Sequence, residues 1–190
     1  MELILIRHGL PVRSAETSDP PLSATGHAQS ARVAGALARD KIDAVYASTM
    51  LRAIQTAEPF ATAAGHAVAT REGIVEFDRD SGVYTPMEVL KAENYAAWLA
   101  FVERGQDPDI AKFQSRVVET LEDLVTRHKG QTVAVFCHGG VINVWTAHVL
   151  NMAPRLFFEP VYTSIHRYLC ASSGQRNLVS LNDTAHLRGA

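Results

Sequence analysis

Two short apolar runs constrain this chain more than any other feature. Leu3-Ile4-Leu5-Ile6 leads straight into Arg7-His8-Gly9, and Val133-Ala134-Val135-Phe136-Cys137 leads into His138-Gly139-Gly140. Runs this short, apolar throughout and bounded by glycine, predict strands buried on both faces. A third run, Ala44 to Ala47, reaches Ser48 and then a helical pattern with Arg52 in its first turn. Helical patterns fill the intervals. Ser23 to Ala38 is alanine-rich with Ser23 placed as its cap, and Thr49 to Ala64 stops at Gly65, a natural C-cap. Ala67 to Phe77 is mixed, with some strand character.

Further along, Thr85-Pro86-Met87-Glu88 has the form of a helix start, a capping Thr with Pro first and Glu three residues on, and the pattern predicts one helix to about Glu103. Asp107-Pro108 predicts the opening of another, ending at Gly130, followed by a strand from Gln131 and a helix over Gly139 to Leu150. Thr163 to Ala171 and Asn177 to Leu181 flank the turn signal Ser172-Ser173-Gly174, which predicts a hairpin or antiparallel edge. This alternation predicts an α/β fold: three α/β/α layers, a mostly parallel central sheet, helices on both faces and a small helical flap over the site. One domain is expected over 1–190, with a flap-like insertion around 75–105.

Composition narrows the function. The net charge is −2 over 190 residues, which gives no basic footprint for a nucleic acid. No apolar run approaches the roughly 20 residues of a membrane helix. Cys137 and Cys170 sit in apolar runs, so buried thiols in a reducing, cytoplasmic setting are expected rather than a disulfide. Oligomeric state is open, a dimer included.

In a parallel sheet, ligands bind at the carboxyl ends of the strands, where the next helices begin. Arg7, His8, Arg52 and His138 all fall at such ends. Two arginines and two imidazoles beside helix N-termini repel one another unless an anion lies between them. Backbone donors at those termini and bidentate arginine forks both favour phosphate. The arginines also disfavour the imidazolium and keep a histidine neutral for attack on phosphorus. A leaving oxygen then needs a carboxyl acid: Glu76 is best placed, with Glu72, Asp78 and Asp80 as alternatives. A metal is not expected, because no cluster has ligand spacing and the arginines would repel a cation.

Taken singly, each residue has an ordinary reading: His138 as a core histidine, Arg52 as a solvated helix residue, Glu76 as a surface carboxylate. The conjunction at one sheet edge argues otherwise. His27, His66, His128, His148, His166 and His186 lack that setting and read as surface or structural. Trp98, Phe101, Trp145, Phe157 and Phe158 read as core rather than pocket.

These motifs resemble the histidine phosphatase superfamily, also called phosphoglycerate mutase-like, over almost the whole chain. Leu5 to Gly9 is similar to its signature strand and loop. Pro21-Leu22-Ser23 with Gly26 and Gln29 resembles PLSxxGxxQA, and Ser48 to Ala57 resembles SxxxRAxQTA. Phe136 to Ile142 is similar to its SHGGVI block, and Leu181 to Leu187 to its closing segment. The resemblance implies a phosphohistidine on His8, phosphoryl binding by Arg7, Arg52 and His138, a proton donor at Glu76, and no cofactor. Two departures stand out. Pro11 and Ser14 replace the Thr and Asn of RHGxTxxN, which leaves Arg13, Ser14 and Gly139 as possible pocket residues. Asp80 to Tyr84 replaces a Gly-x-Trp-Glu-Gly segment. The expected activity is hydrolysis of a small phosphate monoester. The alternatives are mutase-type phosphoryl transfer, a phosphohistidine protein phosphatase, or a non-catalytic phosphate-binding domain.

Overall fold

Strand β1, Glu2–Arg7, lies at the centre of a six-stranded sheet of order β3-β2-β4-β1-β5-β6. The computed structural model describes residues 1–102 and 108–188, without the side chains of Phe101 and Pro108. β2 (Ala44–Ser48), β3 (Val68–Arg71) and β4 (Thr132–Cys137) complete the parallel part, with β1 beside β4, β4 beside β2 and β2 beside β3. The closing strands β5 (Ile165–Cys170) and β6 (Arg176–Asp183) run antiparallel as a hairpin edge.

The unbroken apolar runs Leu3 to Ile6 of β1 and Val133 to Cys137 of β4 serve both faces. Leu3, Leu5, Val133 and Val135 pack with α5 (Pro108–Arg127) and α6 (Gly139–Val149). Ile4, Ile6, Ala134 and Phe136 pack with α1 (Ala24–Leu37) and α2 (Leu51–Ala64). Three layers result, as the alternation predicts. Ser23 caps α1 by accepting from the Gly26 N–H at 3.1 Å, and Gly65 closes α2 in the left-handed region at φ 71°. Cys137 and Cys170 are free, buried thiols. Among the described residues, no helix is long and apolar enough to cross a membrane.

The segment expected as one helix to Glu103 differs. It contains α3 (Met87–Glu93) and α4 (Tyr95–Val102), broken at Asn94. Asn94 leaves helical geometry (φ −149°, ψ 79°), and its side-chain oxygen accepts from the Ala97 N–H at 3.0 Å, capping α4. Asparagine favours such a cap over a helix interior because its side chain competes for backbone donors. Thr85 does not cap α3; Pro86 holds that position, with no side-chain bond. Glu103 and Asp107, expected at element ends, lie outside the described residues.

Candidate active site

The register of the central strands sets the site. Arg7 pairs with Cys137, so His8 and His138 leave adjacent parallel strands side by side, with ring centroids 5.1 Å apart. From β1 the chain passes to α1 on one face; from β4 it passes to α6 on the other. The crevice where such paths diverge is the ligand position of open α/β sheets.

His8 is held in one tautomer. Its Nδ1 faces the Gly9 carbonyl at 2.8 Å, and a carbonyl only accepts, so Nδ1 carries the proton. Nε2 then presents a lone pair, which receives the Nε–H of Arg52 at 3.3 Å. Burial, reinforced by the charges of Arg52 and Arg7, drives the His8 pKa well below the ordinary histidine value. The loop behind the ring is built from the sequence motifs. The Gly9 N–H donates to Thr56 Oγ1 at 2.9 Å, and the Leu10 N–H to Gln29 Oε1 at 2.8 Å. Gly26 is required by contact: a Cβ there would stand 2.2 Å from the Leu10 carbonyl oxygen.

His138, fully buried, precedes α6. Its Nε2 meets Ser48 Oγ at 2.6 Å, and burial with the charges of Arg52, His8 and Arg7 also depresses its pKa well below normal. Arg52 is fully buried, bonded through Nη1 to the Ser18 carbonyl at 2.8 Å and packed over the Tyr84 ring at 4.8 Å. Arg7 donates to the Pro160 carbonyl at 2.5 Å and lies 3.9 Å over the Tyr162 ring. Arg7 Nε, Arg52 Nη2 and His138 Nδ1 are buried without a hydrogen-bond partner among the described residues. Buried groups of this kind are ordinarily paired, so three of them gathered beside His8 form a cluster whose chemistry suits an anion.

Glu76 sits across this pocket from the strands. Its Oε2 accepts from the Gly140 N–H, and its Oε1 from the Phe77 N–H, each at 2.9 Å. A carboxylate at the α6 N-terminus complements the helix dipole. Gly140 admits it, since a Cβ there would lie 2.2 Å from Glu76 Oε1. Asp78 also lines the pocket, 3.9 Å from Arg52 Nη2; burial and the nearby Glu76 charge push its pKa up to about 6.

Four residues considered from sequence lie elsewhere. Arg13 forms a bidentate pair with Glu93 at 3.0 and 3.1 Å in solvent. Ser14 Oγ accepts from the backbone of Glu16 and Thr17, so it closes a local turn instead of facing the site. Glu72 is paired with Arg79 and Thr49 on the surface, and Asp80 is exposed. Gly139 lines the cavity.

The cavity of about 240 Å³ extends beyond the basic cluster between the segment from Glu76 to Val102, α5, α6 and the loop before β5. Trp98, Phe157 and Phe158 line it, contrary to the core reading, while Trp145 is fully buried core. Aromatic side chains suit either place, and only the chain path separates them. The Phe101 side chain lies outside the described residues.

Sequence reasoning missed Tyr84, brought in by backbone pairing with Ser14 (Tyr84 N–H to the Ser14 carbonyl, 3.0 Å). It missed Asp19, whose carboxylate accepts from the Leu51 N–H at 3.0 Å and lies 3.4 Å from Arg52 Nη1. It missed Asn143 as well, which donates to the Gly139 and Phe158 carbonyls and accepts from the Phe157 and Phe158 N–H groups. No local signal marks these three, because the contacts that bring them to the site, with Ser14, with Leu51 and Arg52, and with Phe157 and Phe158, span 14 or more residues. Of the other histidines, His166 is structural: Ser164 Oγ at 2.8 Å and the Asn182 N–H at 3.2 Å hold it, and burial lowers its pKa to about 3.

Known proteins resemble this chain in sequence and fold. The chain is 30% identical to a phosphoserine phosphatase 1 of Hydrogenobacter thermophilus, over 98% of this chain and 94% of that one. It is 32% identical to a phosphoglycerate mutase-like protein 4 of Arabidopsis thaliana, over 74% and 67% respectively. A mutant phosphoserine phosphatase of Entamoeba histolytica, solved with phosphoserine, superposes with a TM-score of 0.78 at 26% identity over 98% of both chains. The family model for the histidine phosphatase superfamily, branch 1, matches residues 3–184. With nearly its whole length matched, the chain belongs to the histidine phosphatase superfamily, branch 1.

Proposed function

We propose that the protein hydrolyses a small phosphate monoester through a phosphohistidine on His8. The observation that carries this reading is the His8 Nε2 lone pair, fixed by the Gly9 carbonyl on one side and Arg52 Nε on the other. In the first step Nε2 attacks phosphorus, the P–O bond to the alcohol breaks, and the Glu76 carboxyl gives its proton to the departing oxygen. In the second, the Glu76 carboxylate takes a proton from water, whose oxygen attacks phosphorus. The P–N bond breaks and its electron pair returns to Nε2, giving alcohol and inorganic phosphate. Arg7, Arg52 and His138 surround the phosphoryl oxygens, where preorganised donors stabilise the developing charge.

Brief exposure to a radiolabelled ester followed by alkaline quench tests this reading. Acid-labile label on His8, absent from His8→Ala, is expected. Turnover is expected to persist with EDTA and to be inhibited by vanadate. Turnover by His8→Ala above about a few percent of wild type would sink the nucleophile assignment.

A further inference from the structure

We propose that the ester taken by this site is that of an uncharged, apolar alcohol, a medium-chain alkyl or aryl phosphate, rather than a phosphorylated carboxylic acid; this rests on the phosphatase reading above. Among the described residues, the basic groups lining the cavity are Arg7 and Arg52, at its phosphate end beside His8. Beyond them the wall is mainly apolar, with Phe77, Met87, Trp98, Phe113, Phe157 and Phe158. Tyr84, Thr85 and Asn143 add uncharged polar groups. The other ionic side chains lining the described wall are Glu76, Asp78 and Glu159, all acidic.

Three cations near the described wall have partners of their own, Lys91 among residues of the wall itself. Lys91 Nζ lies 4.4 Å over the Trp98 ring and 3.7 Å from Glu159. Arg116 donates to the Val75 carbonyl at 3.0 Å, and Arg13 pairs with Glu93. A carboxylate on the leaving group would therefore lose its water against aromatic rings and face like charge. An alkyl or phenyl group would instead bury apolar area against them.

Released phosphate measured for methyl, propyl, butyl, hexyl and phenyl phosphate, O-phosphoserine and 3-phosphoglycerate tests the proposal. We expect kcat/KM to rise about three- to fourfold per methylene along the alkyl series. Hexyl and phenyl phosphate are expected to exceed the two acids by at least about tenfold. A flat alkyl series, or either acid as the best substrate, overturns the proposal. Failure to hydrolyse any ester would strike the phosphatase reading instead. In that event binding of hexyl phosphate and O-phosphoserine to His8→Ala, followed by calorimetry, gives the preference without turnover. Tighter hexyl phosphate supports the apolar site, and equal or tighter phosphoserine overturns it. Met87→Arg, at a half-buried position of the wall, is expected to move the hexyl-to-phosphoglycerate ratio about tenfold toward the acid; an unchanged ratio would remove the cavity from substrate selection.

Discussion

Arg52 Nε donates to His8 Nε2 at 3.3 Å while Arg52 Nη1 is tied to the Ser18 carbonyl at 2.8 Å. The guanidinium thus spans from an anchored loop to the nitrogen proposed to attack phosphorus. A lysine ammonium keeps the charge but lacks the rigid fork that reaches both. Arg52→Lys is therefore expected to lower kcat/KM by about 10²–10³-fold, the loss typical of one preorganised donor at a charged transition state. Steady-state kinetics alongside circular dichroism measures this; a folded variant with more than a tenth of wild-type activity contradicts the role.

The depressed histidines give a pH dependence with a definite sign. His8 loses its proton at a lower pH than an ordinary histidine, through burial and then through Arg52 and Arg7. It stays neutral as pH falls through about 6.5. A kcat/KM profile corrected for substrate ionisation is expected to show no acid limb near that value; a limb there would mean that His8 titrates normally. Folding stability follows the same groups. His8, His138 and His166 have folded pKa values below their unfolded ones, so their contribution is present above about 6.5 and is lost as pH falls. Asp78 runs the other way: raised to about 6, it favours the fold at low pH and loses that contribution as pH rises through about 6. Asp78→Asn is expected to raise Tm relative to wild type at pH 7.5, and the gain should shrink toward pH 4.

Asn143 carries a structural prediction. It is 2% exposed and ties α6 to the backbone of Phe157 and Phe158 through three bonds, with a fourth to the Gly139 carbonyl within α6. Asn143→Ala strands those groups, at a cost of about 2–3 kcal/mol, seen as a Tm loss of about 5–10 °C. Because the freed loop carries two rings of the cavity wall, KM is expected to rise more than kcat falls. Unchanged Tm and KM would show that the loop is held by other contacts.

The strand-end residues were legible because their placement follows from chain order alone. A short apolar strand ending in His-Gly fixes His8 and His138 at one sheet edge, and a parallel register makes them neighbours. Gly26, Gln29 and Thr56 were visible as motif letters, but their work, holding the Gly9–Leu10 backbone, needed coordinates. The aromatic wall was misassigned because a ring facing a cavity and a ring facing the core look alike in one dimension. Arg13 and Ser14 were drawn toward the pocket by their position after His8. In the fold, Glu93 and a local turn claim them.

The Glu76 carboxylate offers a test in which two different changes should converge. Glu76→Gln keeps the shape and removes the proposed proton donor. Gly140→Ala leaves Glu76 in place in the chain, yet its Cβ would fall 2.2 Å from Oε1 and push the carboxylate off the α6 N-terminus. An alkyl phosphate has a poor leaving group and needs the acid; p-nitrophenyl phosphate leaves as a stable anion and does not. Both variants are therefore expected to lose about 10²–10⁴-fold in the first step on alkyl phosphates, and far less on p-nitrophenyl phosphate in single-turnover measurements. Equal losses on both esters would mean that the carboxyl binds or shapes the site without donating a proton. A full loss confined to Glu76→Gln would mean that the position held by the Gly140 N–H is not the one from which the proton is given.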